Sequence, residues 1–226
     1  MLLQIPQIIN QQLLSELRIA LQRIDWTPVQ ANDQNQTSLE PSFFQLMENS
    51  IEAKYFGQQI LSALESNPLF ISSALPAKIY PPFFRKYIEN QGHSTKIDSA
   101  IKQVQGSSTR IRIDLSATIF LSDPTEYEGA ELVIEDNYGT HQIKLPAGHM
   151  IIYPSSSLHY LKPVLSGNRI SASFFVESMV RDDAKRTILF DMDNSIRSLI
   201  QGHPGNSCIP QLTGIYHNLL RMWSEV

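Results

Sequence analysis

Three side chains in this 226-residue chain are of the types, and in the order, that build a metal-dependent site. Asp98 offers a carboxylate, His159 an imidazole, and Arg169, ten residues further on, a guanidinium. A non-haem Fe(II) centre held by two imidazoles and one carboxylate keeps positions open for other ligands. A 2-oxo acid can fill two of them, and a planar guanidinium deeper in the pocket matches the far carboxylate of such an acid. The segment around the carboxylate reads GHSTKIDSAI, so two places before Asp98 stands Lys96. A protonated lysine has donors and no lone pair, and does not ligate iron.

Taken singly, each of these residues has a plainer reading. His159 is then a satisfied polar residue at a strand end, Arg169 a surface ion pair, and Asp98 a loop acid paired with Lys96, which contributes little if exposed. His93, His141, His149, His203 and His217 read as structural or solvated. Glu126, Glu128, Glu131, Glu135 and Asp136 have a carboxylate spacing that calcium could use, but they read as a solvated hairpin edge whose charge opposes aggregation. Cys208 follows a Gly/Pro loop with no visible partner base and is not read as a nucleophile.

The elements that must position these groups change character along the chain. Residues 10–24 carry Leu13, Leu14, Leu17, Ile19, Leu21 and Ile24 near helical spacing, with Asn10 as N-cap and Trp26 and Pro28 as the stop. Residues 29–40 are polar and read as loop. Residues 42–66 read as a second helix with Phe44, Leu46, Met47, Ile51, Tyr55, Ile60, Leu61 and Leu64 on its apolar face. From Lys78 the period shortens. KIYPPFFRKYI, RIRIDLSATIFLS, AELVIED, HQIKLPA, HMIIYPS, HYLKPVL and RISASFFVES are strand-like, and turns at 122–124, 137–139, 146–148 and 166–168 separate several of them. In RIRID, Ile111 and Ile113 face one way and Arg110, Arg112 and Asp114 the other. The turn at 166–168 is expected to lay the His159 and Arg169 strands side by side. After Ser178 helical spacing returns, with Asp182 and Asp183 at a favourable N-terminus, and a last helix covers about residues 210–224.

These patterns predict an α+β chain with a mainly β core. Residues 1–77 form an N-terminal helical region, 78–178 a jelly-roll domain, and 179–226 a C-terminal helical region. The net charge of −4 and the absence of a Lys/Arg run argue against a nucleic-acid partner. No apolar stretch is long enough to predict a membrane span, and the N-terminus lacks the basic region of a signal peptide. One cysteine excludes an internal disulfide and suits a reducing compartment, so a cytoplasmic location is expected.

Several long strings resemble the Fe(II)/2-oxoglutarate-dependent dioxygenases of prolyl-hydroxylase type, and more closely the bacterial PKHD-type hydroxylases. They are Asp114-LSATIFLSDPTEYEGAELVIED, Lys144-LPAG, Tyr153-PSSSLH, Ser178-MVRDDAKR and the tail IYHNLLRMWSEV. The resemblance covers nearly the whole chain apart from about residues 29–40. It implies a double-stranded β-helix, or jelly roll, flanked by N- and C-terminal helices. It implies Asp98 and His159 as metal ligands, Arg169 as the anchor of the distal carboxylate of 2-oxoglutarate, and Tyr87 beside that carboxylate. It puts Lys96 at the position of the first His ligand. It implies Fe(II) and 2-oxoglutarate as cofactors, and ascorbate as a reductant. A second departure follows Trp26, where TPVQANDQNQTS replaces a Gly-rich segment with a Lys-Asn-Asn run, a region that bears on substrate handling.

Two functions follow. One is an oxidoreductase that couples 2-oxoglutarate decarboxylation to hydroxylation of an unidentified small molecule or peptide. The other is a silenced descendant that binds 2-oxoglutarate or another small carboxylate as a sensor or scaffold. Lys96 favours the second, whereas the joint presence of Asp98, His159 and Arg169 argues against long drift without function. Lys96 can be read as an ammonium replacing the metal and pairing with Asp98. Alternatively His93 takes over as ligand, or two ligands hold a weak, water-filled or different metal site. Apolar residues left over on the last helix offer a homodimer contact.

Overall fold

The computed structural model describes residues 1–30, 42–136 and 139–225. In chain order the elements are β1 (Leu3–Ile5), α1 (Gln11–Arg23), β2 (Thr27–Val29), β3 (Phe43–Gln45), α2 (Ile51–Glu65), α3 (Pro68–Ala74), β4 (Pro76–Ile79) and β5 (Phe83–Tyr87). Then follow β6 (His93–Lys96), β7 (Ile101–Gln103), β8 (Arg110–Arg112), β9 (Leu115–Phe120), β10 (Tyr127–Gly129), β11 (Leu132–Asp136) and β12 (Gly139–Ile143). The chain ends with β13 (Met150–Pro154), β14 (Leu158–Leu161), β15 (Val164–Gly167), β16 (Arg169–Ser178), α4 (Asp183–Gly202) and α5 (Ile209–Trp223).

The strands form a jelly roll. The larger sheet runs β1-β13-β9-β16-β5-β3-β2, with β4 also on β16. The smaller runs β12-β11-β14-β6, and β10-β15 and β7-β8 are separate ribbons. Strict alternation shapes the larger sheet. On β9, Leu115, Ala117 and Ile119 point to one core and Phe120 to another, while Ser116 and Thr118 line a cavity. On β16, Ala172, Phe174 and Val176 face the first core, while Arg169, Ser171, Ser173 and Phe175 face the cavity. The first core is closed by Leu14, Leu17 and Leu21 of α1, Phe56, Ile60 and Leu64 of α2, and Phe70 of α3. With helices on one face and the smaller sheet on the other, β9 is buried along its whole length. Each large side chain so buried contributes about 1.5–3 kcal/mol.

Local signals place the helices. Asn10, Ser50, Asn67 and Asp182 each accept a backbone N–H of the first helical turn. The expected helix over residues 42–66 is corrected: Phe43–Gln45 is a strand on β5, and α2 starts only after Ser50. Met47, Ile51 and Tyr55 are exposed, and Ala53, Phe56, Gly57, Ile60 and Leu64 form the buried face. The N-terminal region, read as helical, also contributes β1, β2 and β3 to the larger sheet. The loop reading of residues 29–40 and the turn at 137–139 fall largely outside the described residues. In the C-terminal region, Leu189 of α4 packs with Leu75 and Val180, and Tyr216, Leu219, Leu220 and Trp223 of α5 lie against them. No helix among the described residues is long and apolar enough to cross a membrane.

The acidic run is divided: Glu128 is exposed on β10 of the two-stranded β10–β15 ribbon, and the rest lies elsewhere. Glu126 completes a capping box with Asp123 and pairs with Arg18, Glu131 pairs with Lys162, and Asp136 with His141. Glu135 and Asp136 stand on β11, which is flanked on both sides by β12 and β14.

Candidate functional site

The His159 and Arg169 strands are not neighbours. β14 pairs with β11 and β6 in the smaller sheet, whereas β16 pairs with β9, β5 and β4 in the larger one. The chain between them forms β15, which pairs with β10. It turns at Gly167, where φ is +78° and a Cβ would lie 2.1 Å from the Glu126 carbonyl oxygen. The turn thus carries the chain from one sheet to the other, and both side chains line one cavity.

At one side of this cavity sit Asp98 and His159. The His159 Nδ1 lies 3.1 Å from the Ser157 carbonyl oxygen, which can only accept, so Nδ1 carries the proton and Nε2 keeps its lone pair. That Nε2 is 3.7 Å from Asp98 Oδ2. Burial lowers the His159 pKa against the opposing pull of Asp98, which keeps the ring neutral at pH 7. Asp98 Oδ2 accepts from Ser116 Oγ at 2.7 Å, and Ser116 is itself within 2.8 Å of Ser155 Oγ. These serines, with Tyr153 packed on the His159 ring at 5.4 Å, hold the pair in place.

Lys96 stands directly opposite His159 in the β6–β14 ladder. Leu161 is opposite His93, so three steps on β6 match two on β14. This bulge turns both His93 and Lys96 to the cavity. Lys96 makes no ion pair with Asp98 within 4.0 Å, contrary to the pairing expected above, because Asp98 is drawn to Ser116 and His159. Burial and Arg85 lower the Lys96 pKa, while Asp98 raises it. His93 Nδ1 donates to the Ser94 carbonyl at 3.0 Å, and its ring centre is 5.8 Å from that of His159. Burial, then Lys96, push the His93 pKa down to about 3.

At the other side lies Arg169, buried and opposite Tyr87 in the β16–β5 register. Its guanidinium sits 5.0 Å from the Phe120 ring centre and 5.8 Å from that of Tyr87. Nη1 donates to Ser171 Oγ at 3.1 Å, but Nε has no hydrogen-bond partner, nor does the buried hydroxyl of Tyr127. Burial lowers the Arg169 pKa and the nearby tyrosines raise it, yet a guanidinium stays protonated. Among the described residues no carboxylate pairs with it within 4.0 Å. Arg186, the other deeply buried arginine, donates to the Val180 and Arg181 carbonyls and to Asp183 instead.

The residues fit an anion better than a metal. Unpaired donors on Arg169 and Tyr127 suit a carboxylate, as 2-oxoglutarate would present. Asp98 and His159 are two metal donors with Lys96 in the third place, and no group of three His, Cys, Asp or Glu side chains among the described residues can hold a metal ion. An Fe(II) triad is therefore incomplete. Tyr127, Ser116 and Arg85 enter the site without any signature in the sequence: each is one residue of an alternating strand or its end.

Residues 83–177 match the 2OG-Fe(II) oxygenase superfamily and residues 183–225 the PKHD-type hydroxylase C-terminal domain. A PKHD-type hydroxylase of Methylobacillus flagellatus is 44% identical over 226 residues, covering 100% of both chains. One of Xanthomonas campestris pv. campestris is 45% identical over 228 residues, again covering 100% of both. Among solved structures, a prolyl hydroxylase from Trichoplax adhaerens in complex with a hypoxia inducible factor peptide aligns with a TM-score of 0.54 at 13% identity, over 83% of this chain and 86% of that one. HygX from Streptomyces hygroscopicus, with nickel and 2-oxoglutarate bound, aligns with a TM-score of 0.56 at 11% identity, over 78% and 82%. At such identities these two structures support the fold alone.

Proposed function

Because the chain belongs to the PKHD-type hydroxylases, with a 2OG-Fe(II) oxygenase domain, we propose that it binds a dicarboxylate of the 2-oxoglutarate class in the barrel, and that with Lys96 in place it does not hydroxylate. The observation that carries this reading is the charge of the cavity wall. Arg85, Lys96 and Arg169 line it against Asp98 alone, with both histidines neutral. A net charge of two positive units complements a dicarboxylate. Arg169 and Tyr127 take the distal carboxylate, and Tyr87 packs beside it. Lys96 and Arg85 meet the proximal end, where an ammonium supplies part of the charge that a divalent metal supplies in a complete triad. The protein acts in this reading as a sensor or scaffold for the keto acid.

A second reading rests on the β6 bulge, which turns His93 into the cavity. There His93, Asp98 and His159 would hold Fe(II) after a local shift, ascorbate would keep it reduced, and the family's oxidation of an unidentified small molecule or peptide would be retained.

Anaerobic Fe(II) titration, followed in air by succinate formation from 2-oxoglutarate, separates the two. For the silent reading only Lys96→His binds iron tightly and turns over. Tight binding and turnover by the unaltered chain, lost in His93→Ala, would overturn it in favour of the second.

A further inference from the structure

Beside the cavity three aromatic rings surround one ammonium group. Lys102 Nζ lies 4.5 Å from the ring centre of Tyr80 and 4.9 Å from those of Phe83 and Phe175. All three distances are within the range of a cation–π contact. The rings are walls rather than a stack: Tyr80 meets Phe83 at 73° and Phe175 at 63°, and Phe83 meets Phe175 at 38°. A carboxylate completes the enclosure, since Tyr80 donates to Glu48 Oε2 at 3.4 Å and Glu48 acts electrostatically on Lys102. Three rings and an acid are the parts from which proteins build pockets for quaternary and methylated ammonium groups.

The position of the cage is as informative as its composition. Phe83 and Phe175 also line the cavity that holds Asp98, His159 and Arg169. Tyr80 and Glu48 line a separate outer depression against α2, which also takes in Ala53, Gly57 and Pro82. The cage therefore stands between an outer groove and the inner site. Its present occupant belongs to β7, whose only ladder partner among the described residues is β8. Lys102 is half-buried there, between two exposed neighbours, Ile101 and Gln103. It reaches the cage as a side chain from a ribbon that is not part of either main sheet.

We propose that Tyr80, Phe83 and Phe175 form a binding cage for an alkylammonium group of an incoming molecule, and that Lys102 fills it in the free chain. The cage accepts positive charge on an aliphatic stem, as the resident lysine demonstrates, and an entering ammonium replaces like with like. As a cation site this stands apart from the reading above. As a substrate or effector subsite it rests on that reading, and it then names the class: a molecule with an ammonium-bearing arm held beside the keto-acid site.

The test uses the full chain without metal or keto acid, so failure of dicarboxylate binding leaves it unaffected. Choline and its neutral carbon isostere, 3,3-dimethylbutan-1-ol, are titrated into the unaltered protein, Lys102→Ala and Lys102→Ala/Phe175→Leu, followed by saturation-transfer NMR. Lys102→Ala is expected to bind choline at least about tenfold more tightly than the unaltered chain and than it binds the isostere. The added Phe175→Leu is expected to remove that gain. Equal binding of choline and isostere by a folded Lys102→Ala, or no gain at all, would overturn the proposal. Lys102→Gln, which keeps part of the stem, serves if Lys102→Ala does not fold. If neither folds, Lys102 is a fixed part of the ring cluster and the cage admits no ligand.

Discussion

Replacing Arg169 by Met should make the free protein more stable while abolishing its ligand response. Arg169 is 3% exposed, its Nε is unpaired, and among the described residues no carboxylate lies within ion-pair distance of it. A buried ion without a partner costs several kcal/mol. Against this stand one hydrogen bond to Ser171, worth about 1 kcal/mol, and ring contacts with Phe120 and Tyr87, worth about 0.5–1 kcal/mol each. Methionine fills a similar length with no charge to desolvate. The balance favours Arg169→Met by about 1–3 kcal/mol, or a rise in Tm of about 5 °C for a chain of this size. The unaltered protein should gain about 2.7 kcal/mol at a hundredfold excess of 2-oxoglutarate over Kd, and the variant nothing. Thermal unfolding with and without 2-oxoglutarate, with 2-oxobutyrate as the control lacking a distal carboxylate, measures both effects. A fall in Tm for Arg169→Met together with an undiminished shift by 2-oxoglutarate would refute the reasoning, because Arg169 would then be a satisfied structural cation.

The histidines give a pH dependence of defined sign. His93 titrates at about 3 in the fold and near 6.5 when unfolded, so below about pH 6.5 the unfolded chain binds a proton that the fold refuses. Stability therefore falls with pH through that window, and burial of His159 acts in the same direction. Urea unfolding at pH 7 and pH 5 should show the unaltered chain losing up to about 2 kcal/mol more than His93→Gln; equal losses would count against a buried neutral His93. Gly167→Ala places a methyl group against the Glu126 carbonyl at a positive φ. It should destabilise the chain by more than about 1 kcal/mol and weaken 2-oxoglutarate binding through Arg169, two residues on; unchanged unfolding would show that the corner can relax. Ser116→Ala removes a hydrogen bond to Asp98 and should cost about 1 kcal/mol with the Lys96→His iron affinity reduced; an unaltered iron titration would assign Ser116 no positioning role.

The long strand β16 was legible because of its two-residue period, with Ile170, Ala172, Phe174 and Val176 on the helix side. The cap at Asn10 was legible from its local side-chain chemistry, and Asp182, read as acidic charge at a helix start, proves to be the N-cap of α4. What failed was long-range. Ser166-Gly167-Asn168 has the composition of a hairpin turn, but Gly167 pairs with Tyr127 and the chain changes sheets there. Phe44, Leu46 and Met47 matched helical spacing by coincidence, and the true N-cap is Ser50. β1, β2 and β3 are three residues each, too short to show a period. Tyr87 could be named only through resemblance to a family, whereas Asp98, His159 and Arg169 stood out by type and order and took their separate roles from it; the fold brings all four to one cavity. Tyr127 and Arg85 carry no local signal, since their role depends on what faces them across the barrel.

The most direct measurement of the central claim is calorimetric titration of the unaltered protein with 2-oxoglutarate, once in excess EDTA and once with Mn(II) under otherwise identical conditions. A cavity whose cations replace the metal's charge predicts stoichiometric binding in EDTA, with an affinity that Mn(II) leaves unchanged. Binding seen only when Mn(II) is present would contradict it, and would mean that Lys96 yields its place to a metal after all.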